Sequence, residues 1–387
     1  MLYLDNAATT PVRREALDAM LPYLTTEFGN PSSHHTVGER AAGALATARA
    51  AVGRVLGMRP SDVVFTSGGP EANNLAVKGI AIAAQLARDA RHVITTPIEH
   101  ESILESVDYL RRVHGFAVTR LPVDAFGRVD PADLEAALRD DTALVSLGYA
   151  NNEIGTIQDV STLAAIARAR RVPIHIDAVQ AAGWLDVSAA DLGVDAISIA
   201  GHKFGAPPGT GALAVRGRVP LEPLMHGGGQ ERGRRSGTES VAGAVALATA
   251  LTLAEAERSD VSARVTALRD GFIARVLDTV PTARLTGDPV HRLPGTASFT
   301  FAGTSGEAVL LELERRGIVS SSGSACAAGS DEPSHVLLAI GIPAEVAQTS
   351  VRFTFSARLT DPLDVVADAH TLADAVAASV TAVQSAA

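Results

Sequence analysis

Short apolar segments alternate with helical segments over residues 61–215, and this alternation restricts the fold more than any other feature of the chain. The apolar segments are rich in β-branched residues, as strands are, and stretches with helical periodicity follow several of them. Strands that alternate with helices form a mostly parallel sheet covered on both faces. The sequence therefore predicts an α/β fold. The predicted strands are 62–67, 92–97, 116–122, 143–150, 173–179, 196–200 and 211–215, and the predicted helices are 71–88, 101–114, 130–138 and 159–170.

The pattern changes after the last of these strands. Residues 239–280 are rich in alanine and favour one long connecting helix. The segments beyond it indicate a smaller α+β unit, with strands at 297–301 and 351–355, a helix at 306–316 and a closing helix from about Pro362. The predicted domains are a large one at 16–255 and a small one at 256–387, with an N-terminal segment, 1–15, that packs with the small domain.

Composition and charge exclude several classes of protein. Acidic residues outnumber basic ones by 43 to 33, and the formal net charge of −10 leaves no broad basic face for nucleic acid. The single cysteine excludes intramolecular disulfides and multi-cysteine zinc sites, and it suits a reducing compartment. The chain starts without the apolar run of a signal peptide, and its longest apolar stretch, 241–254, is shorter than the roughly 20 residues that span a bilayer. We expect a cytoplasmic protein that binds no membrane, no metal and no nucleic acid directly.

Polar side chains with unusual chemistry follow the ends of the apolar strands. Asp177 and Gln180 follow one strand, His202 and Lys203 follow the next, and the segment NNEIG follows a third. Ligands of parallel sheets bind at the carboxyl ends of the strands. A lysine after a buried strand is a plausible imine-forming amine, and a buried aspartate beside a pyridine nitrogen makes the ring an electron sink. This pair fits a pyridoxal phosphate site, although a helix-capping Asp177 and a solvated Lys203 remain an equal alternative on spacing alone.

Two glycine-rich segments are candidates for holding a phosphate group. Residues 66–71 lie where a strand gives way to a helix, so that backbone N–H groups point at an anion. Residues 225–239 combine glycines with Arg232, Arg234 and Arg235. Either segment could also be an ordinary loop. His100 follows another strand and is either a stacking or acid–base group or a polar cap.

The only cysteine, Cys326, lies in the segment SSSGSACAAGS at residues 320–330. Small and polar neighbours favour a mobile surface segment with an uncovered thiol, whereas a structural cysteine is usually buried among large apolar side chains. The cysteine is therefore either a reactive group or an incidental residue of a linker.

These segments together resemble the motifs of the cysteine desulfurases, which are pyridoxal-phosphate enzymes of fold type I in the class V aminotransferase group. The resemblance runs from Leu4 to about Leu359 with the motifs in the expected order. They are YLDNAATTP, FGNPSSHH, FTSGGPEANNLAVKG, IEHES, NNEIGTIQD, HIDAVQ, AGHKFGAPPGTGAL, MHGGGQERGRRSGT, SSGSAC and SVRFTFS. The resemblance implies the fold of the type I transferases, with a large domain built on a mostly parallel seven-stranded sheet and a smaller α+β domain.

The resemblance also implies a reaction and its catalytic residues. Such an enzyme removes sulfur from L-cysteine, releases L-alanine and carries the sulfur as a persulfide on Cys326. Lys203 binds the cofactor covalently and removes the α-proton of the substrate, and His100 stacks on the ring and moves protons. The persulfide is then passed to acceptor proteins, such as an iron–sulfur scaffold or a protein of tRNA or DNA thiolation. The length of the segment at 320–333 resembles the subgroup that hands sulfur to partner proteins.

Further residues take binding roles in this resemblance. Asp177 pairs with the pyridine nitrogen, while Gln180 and Asn152 lie near the phenolic oxygen. Thr238 reaches the phosphate of the neighbouring subunit's cofactor, which implies a homodimer. The residues expected at the phosphate are Gly69, Pro70, Ala200 and His202, and those expected at the substrate are Arg352, Asn6, Ala7 and Asn152.

Two departures from the family pattern concern the phosphate. Pro70 and Ala200 stand where many relatives have a threonine and a serine, and the exchanges remove hydroxyl groups and one N–H donor. We therefore expect weaker, but retained, cofactor affinity.

Two other functions are compatible with the same residues. An aminotransferase or selenocysteine lyase of the same class would use Asp177 and Lys203 but need not depend on Cys326. A non-catalytic scaffold of the same fold would dock partner proteins without binding the cofactor as an imine.

Overall fold

The computed structural model describes residues 1–322, 332–358 and 369–386. The strands are β1 Leu2–Tyr3, β2 Val63–Thr66, β3 His92–Thr95, β4 Ala117–Arg120, β5 Thr142–Gly148, β6 Ile174–Asp177, β7 Ala196–Ala200, β8 Gly211–Val215, β9 Ala283–Leu285, β10 Thr296–Phe301, β11 Ile318–Val319 and β12 Ser350–Thr354. The α-helices are α1 Arg14–Thr25, α2 Thr36–Val55, α3 Gly69–Arg88, α4 Glu101–His114, α5 Pro131–Ala137, α6 Val160–Ala169, α7 Ala189–Leu192, α8 Val241–Thr279, α9 Gly306–Arg315, α10 His335–Ala339, α11 Ala344–Ala347 and α12 Ala369–Ala386.

A seven-stranded sheet forms the centre of the larger part of the chain. Its strand order is β2-β8-β7-β6-β5-β3-β4, and β8 runs antiparallel to both of its neighbours while the other neighbouring strands run parallel. Strands β6, β7 and β8 are buried along their whole length, as expected for a sheet covered on both faces. The α/β fold with a mostly parallel seven-stranded sheet is therefore confirmed.

Helix α8 connects the two parts of the molecule without interruption over 39 residues. Its first half, including Leu247 and Leu251, belongs to the hydrophobic core beneath the large sheet. Its second half packs Phe272 against a cluster of phenylalanines from the small sheet, which includes Phe299 and Phe353. The boundary expected between residues 255 and 256 falls inside this helix, and the division into domains remains a prediction.

The smaller part contains an antiparallel sheet of order β12-β10-β9. The first residues of the chain lie beside it: β1 pairs with β11 in a separate two-stranded sheet, and the N–H of Thr354 in β12 donates to the carbonyl of Leu4 at 2.7 Å. A few residues later the chain reaches the large sheet, where Thr10 N donates to the carbonyl of His202 at 2.9 Å. The N-terminal segment therefore bridges the two sheets.

Two further observations concern the described helices. None of the described helices combines the length and the apolar character that crossing a membrane requires. Helix α12 begins at Ala369 in the described part of the chain, and the start expected near Pro362 lies outside the described residues.

Candidate active site

A cavity of about 330 Å³ lies at the carboxyl ends of β5, β6 and β7, where the last residues of these strands, Gly148, Asp177 and Ala200, line it. This is the edge at which parallel sheets bind ligands. The cavity brings together most of the residues that the sequence singled out. Those lining it are Ala7, Gly69, Pro70, His100, Asn152, Asp177, Gln180, Ala200, His202, Lys203 and Arg352.

Asp177 ends β6 with its carboxylate buried and held by two donors. Its Oδ2 accepts from Asn73 Nδ2 at 2.7 Å, and its Oδ1 accepts from the N–H of Val179 at 2.9 Å. Two hydrogen bonds to neutral donors fix the carboxylate and keep it able to pair with a cation in the cavity. The sequence left open that Asp177 caps a helix. In the structure Asp177 is followed by turns, and no described helix begins directly after it.

Lys203 closes a short turn, Gly201–Lys203, directly after β7. Its Nζ donates to the carbonyls of Ala7 and Ala8, the latter at 2.9 Å, so the amine lies over the bridging N-terminal segment. Gly201 is required in this turn, because a Cβ there would lie 2.3 Å from Thr210 Oγ1. Burial, with a further contribution from the charge of Lys203, lowers the pKa of His202 to about 4, so this imidazole is neutral at physiological pH.

His100 both caps a helix and lines the cavity. Its Nδ1 accepts from the N–H of Ser102 at 3.0 Å at the start of α4. A neutral ring with an accepting Nδ1 carries its proton on Nε2. The capping contact therefore fixes the tautomer and orientation of an imidazole at the edge of the cavity.

The two glycine-rich segments have different surroundings. The first lines the cavity through Gly69 and Pro70 at the start of α3, the place predicted for an anion. The arginines of the second segment contact other groups: Arg235 Nε donates to Glu71 at 2.8 Å, and Arg232 Nη2 donates to the carbonyl of Val63 at 2.6 Å. Thr238 is exposed and is not among the described residues that line this cavity.

The opposite wall of the cavity comes from the small sheet. Arg352 projects from β12 and is 2% exposed, with Nη1 donating to the carbonyl of Asn152 at 2.8 Å and Nη2 donating to Asp5 Oδ1 at 2.7 Å. Asn6 lies beside Thr354 and lines an adjacent cavity of about 30 Å³ together with Gln180 and Lys203, so the structure does not place it in the larger cavity.

Cys326 lies outside the described residues. The described residues on either side of the segment that carries it contact the walls of the cavity. Ser321 exchanges two backbone hydrogen bonds with Arg352, at 2.7 and 3.2 Å. On the other side, His335 Nε2 lies 3.0 Å from the carbonyl oxygen of Glu99.

Sequence reasoning missed several residues of this cavity, among them the polar residues Asn73 and Glu99. Asn73 precedes the buried Ala76, Val77 and Ile80 by three, four and seven residues, so it lies on the same buried face of α3. A polar residue on the apolar face of a predicted helix is a signal that the sequence offered. Glu99 is fully buried, and burial raises the pKa of its carboxyl to about 8, with the charge of Asp177 adding to the effect and the hydrogen bond from Thr96 opposing it.

A mostly parallel sheet with a lysine and an aspartate at adjacent strand ends, facing one cavity, is the arrangement of a pyridoxal-phosphate enzyme of the aminotransferase type. The model of the aminotransferase class-V family matches residues 2–361, and the chain belongs to this family, in its cysteine desulfurase branch. Members of the family depend on pyridoxal phosphate. The family resemblance seen in the sequence is confirmed.

Several known proteins are similar to this chain in sequence or in structure. Cysteine desulfurase IscS of Dictyoglomus turgidum is 46% identical, over 91% of this chain and 89% of the relative. Among solved structures, a NifS-like protein has a TM-score of 0.88 and 34% identity, covering 100% of each chain. A second structure, SspA in complex with cysteine, has a TM-score of 0.79 and 34% identity, covering 92% of this chain and 98% of its own.

Proposed function

We propose that this chain is a cysteine desulfurase, which converts L-cysteine to L-alanine and holds the released sulfur as a persulfide on Cys326. The observation that carries the proposal is the convergence of Lys203, Asp177 and Arg352 on one cavity, from two strands of the large sheet and one strand of the small sheet. The amine, the carboxylate and the guanidinium are the groups that a cofactor aldehyde, a ring nitrogen and an amino-acid carboxylate each require.

The groups that line the cavity fit pyridoxal phosphate. Lys203 offers an amine for covalent attachment, and the buried Asp177 offers a fixed carboxylate to a protonated ring nitrogen. The start of α3 at Gly69 offers backbone N–H groups to the phosphate, and His100 and Gln180 offer an imidazole and an amide to the ring. When bound, the cofactor supplies an electron sink for the charge that develops at the α-carbon of the substrate.

Three residues of the chain have separate roles in the proposed reaction. Arg352 binds the carboxylate of L-cysteine, and Lys203 takes the α-proton. Cys326 attacks the sulfur of the substrate as a thiolate, so that one S–S bond forms as the C–S bond breaks. L-Cysteine and the thiol of Cys326 thereby give L-alanine and a persulfide. A free thiol has a pKa of about 8.5, so this step requires activation of Cys326 at neutral pH.

We also propose that the enzyme is a cytoplasmic homodimer. Thr238 is exposed and lies away from the cavity of its own chain, which supports a role at the phosphate of a neighbouring subunit. The persulfide is passed to acceptor proteins of iron–sulfur assembly or of tRNA or DNA thiolation, and the chain has no direct contact with nucleic acid.

Substitution of the cysteine tests the proposed reaction. With L-cysteine and a thiol reductant, the purified protein should release sulfide and alanine in equal amounts. Cys326→Ser should abolish both products and leave the absorbance of the lysine-bound cofactor unchanged, because the chain contains no other cysteine to take the sulfur. Lys203→Ala is the matched variant that should lose both turnover and this absorbance.

Three outcomes would contradict the proposal in different ways. Sulfide release that survives Cys326→Ser would favour a lyase that does not depend on this thiol. Amino transfer without sulfide would favour an aminotransferase. A protein that cannot be reconstituted to an absorbing, hydroxylamine-sensitive form would favour a non-catalytic scaffold.

A further inference from the structure

Arg352 reaches the cavity already paired with a carboxylate of its own chain. Its Nη2 donates to Asp5 Oδ1 at 2.7 Å, and the side chains of Arg352 and Asp5 are 2% and 17% exposed. Its Nη1 donates to the carbonyl of Asn152, and its buried Nε has no hydrogen-bond partner among the described residues. The guanidinium is therefore held in one orientation, and part of its attraction for anions is directed at Asp5.

The position of Asp5 is set by its backbone. The residue forms a β-bridge with Thr354, and its carbonyl accepts from the N–H of Ala8 at 2.9 Å and from the hydroxyl of Tyr3 at 3.0 Å. Two residues further on, the carbonyl of Ala7 accepts from Gln180 Nε2 at 3.0 Å. Asp5 thus belongs to the segment that bridges the two sheets, and these hydrogen bonds hold its backbone beside β12.

Glu153 is another carboxyl group near Arg352, but among the described residues the ion pair of Arg352 is with Asp5. Burial raises the pKa of the Glu153 carboxyl, while the hydrogen bond from Ser334 and the charges of His335 and Arg352 oppose this shift. Asp5 is therefore the described carboxylate that contacts the guanidinium of Arg352 directly.

We propose that Asp5 weakens the hold of Arg352 on amino-acid carboxylates and thereby sets the release of L-alanine. This inference rests on the proposed function. Substrate and product carry the same carboxylate, so an unopposed Arg352 would bind both more tightly without favouring the transition state. Asp5 is a positioning residue that acts through Arg352, and an incoming carboxylate shares the guanidinium with it.

The test compares the equilibrium affinity for L-alanine of the cofactor-loaded protein and its variants, measured by calorimetry. Asp5→Asn keeps an oxygen for Arg352 Nη2 and removes the charge, so alanine should bind roughly tenfold more tightly, as for close charge pairs at interfaces. The KM for L-cysteine should fall with it. Asp18→Asn removes a carboxylate from an exposed Asp–Arg pair on α1 and should leave the alanine affinity unchanged.

Two further measurements distinguish an effect of the charge of Asp5 from an effect of Asp5 on the orientation of Arg352. L-Alaninamide lacks the carboxylate, so Asp5→Asn should not tighten its binding; an equal gain for both ligands would overturn the proposal. If Asp5 only orients Arg352, Asp5→Asn and Asp5→Ala would both leave alanine binding unchanged or weaker, which would also overturn it.

The test of Asp5 and the test of the proposed function can fail separately. Sulfide release by the unsubstituted protein tests the desulfurase activity, whereas alanine binding tests Asp5. A protein that releases sulfide but shows no tighter alanine binding in Asp5→Asn would retain the proposed function and contradict only the role of Asp5.

Discussion

At the scale of single residues, the cavity contains two carboxyl groups in different surroundings. Asp177 accepts from Asn73 and Val179 at the end of β6, whereas Glu99 is fully buried and accepts from the hydroxyl of Thr96 at 2.6 Å. Burial raises the pKa of Glu99 to about 8, so this residue is mostly protonated at neutral pH. A neutral carboxyl beside Asp177 supports the proposal that Asp177 is the group that pairs with a cationic ring nitrogen.

The raised pKa of Glu99 predicts a pH dependence of stability. Between its ordinary value of 4.5 and about 8, the folded chain keeps a proton that the unfolded chain releases. The free energy of unfolding should therefore fall as pH rises through this range, by up to about 1.4 kcal/mol per pH unit. Glu99→Gln should remove this contribution, as measured by denaturant unfolding from pH 5 to 8.

A matched substitution checks that the effect belongs to the buried carboxyl. Glu105→Gln removes an exposed carboxylate of α4 and should leave the pH dependence of stability unchanged. A Glu99→Gln variant with the same dependence as the unsubstituted protein would show that Glu99 is ionised in the fold across this range.

At the scale of elements, two residues at the proposed phosphate site near the start of α3 lack hydrogen-bond donors. Pro70 lies in the first turn of the helix and has no N–H, and Ala200 on the facing strand end has no hydroxyl. The helix N-terminus still offers backbone N–H groups and a favourable dipole to an anion. We therefore expect the phosphate to be held chiefly by backbone groups on this side of the cavity.

Restoring the missing donors should strengthen cofactor binding. Pro70→Thr adds one N–H and one hydroxyl, and hydrogen bonds to charged groups contribute about 1.5–3 kcal/mol, so the dissociation constant for pyridoxal phosphate should fall about tenfold or more. Fluorescence titration of the cofactor-free protein measures it. Pro131→Thr makes the same exchange at the start of α5, outside the lining of the cavity, and should have no effect. Equal affinities for Pro70→Thr and the unsubstituted protein would mean that the added groups do not reach the phosphate.

At the scale of the whole molecule, the cavity depends on both sheets and on the segment that bridges them. Lys203 and Asp177 come from the large sheet, Arg352 comes from the small sheet, and Ala7 lies between them on the N-terminal segment. If Thr238 serves the phosphate of a second copy, as proposed, the functional unit is a dimer in which each site contains residues of two chains.

Mixed dimers test this sharing. Lys203→Ala and Thr238→Ala chains, expressed together, should form some dimers in which one site has both an intact Lys203 and an intact Thr238 from the other chain. The co-expressed sample should therefore retain more lysine-bound cofactor through gel filtration than the average of the two separate variants, as measured by absorbance. Retention equal to the average of the two separate variants would mean that Thr238 acts within its own chain or not at all.

Local sequence determined much of the architecture. The strands of the large sheet, the long helix α8 and the position of Lys203 and Asp177 at strand ends follow from apolar periodicity and from covalent order, which neighbouring residues encode. These features require no knowledge of which distant segments meet. The family motifs then assigned roles to residues such as His100 and Arg352, and the structure places both at the cavity.

Only the tertiary structure decided which side chains touch. The pairs Asn73–Asp177 and Asp5–Arg352 join residues that are 104 and 347 positions apart, and no local pattern specifies such contacts. The burial that raises the pKa of Glu99, and the partners that occupy Arg232 and Arg235, likewise depend on how helices and strands pack. Periodicity states which face of an element is buried, but the partner on that face is set by the packing of the whole chain.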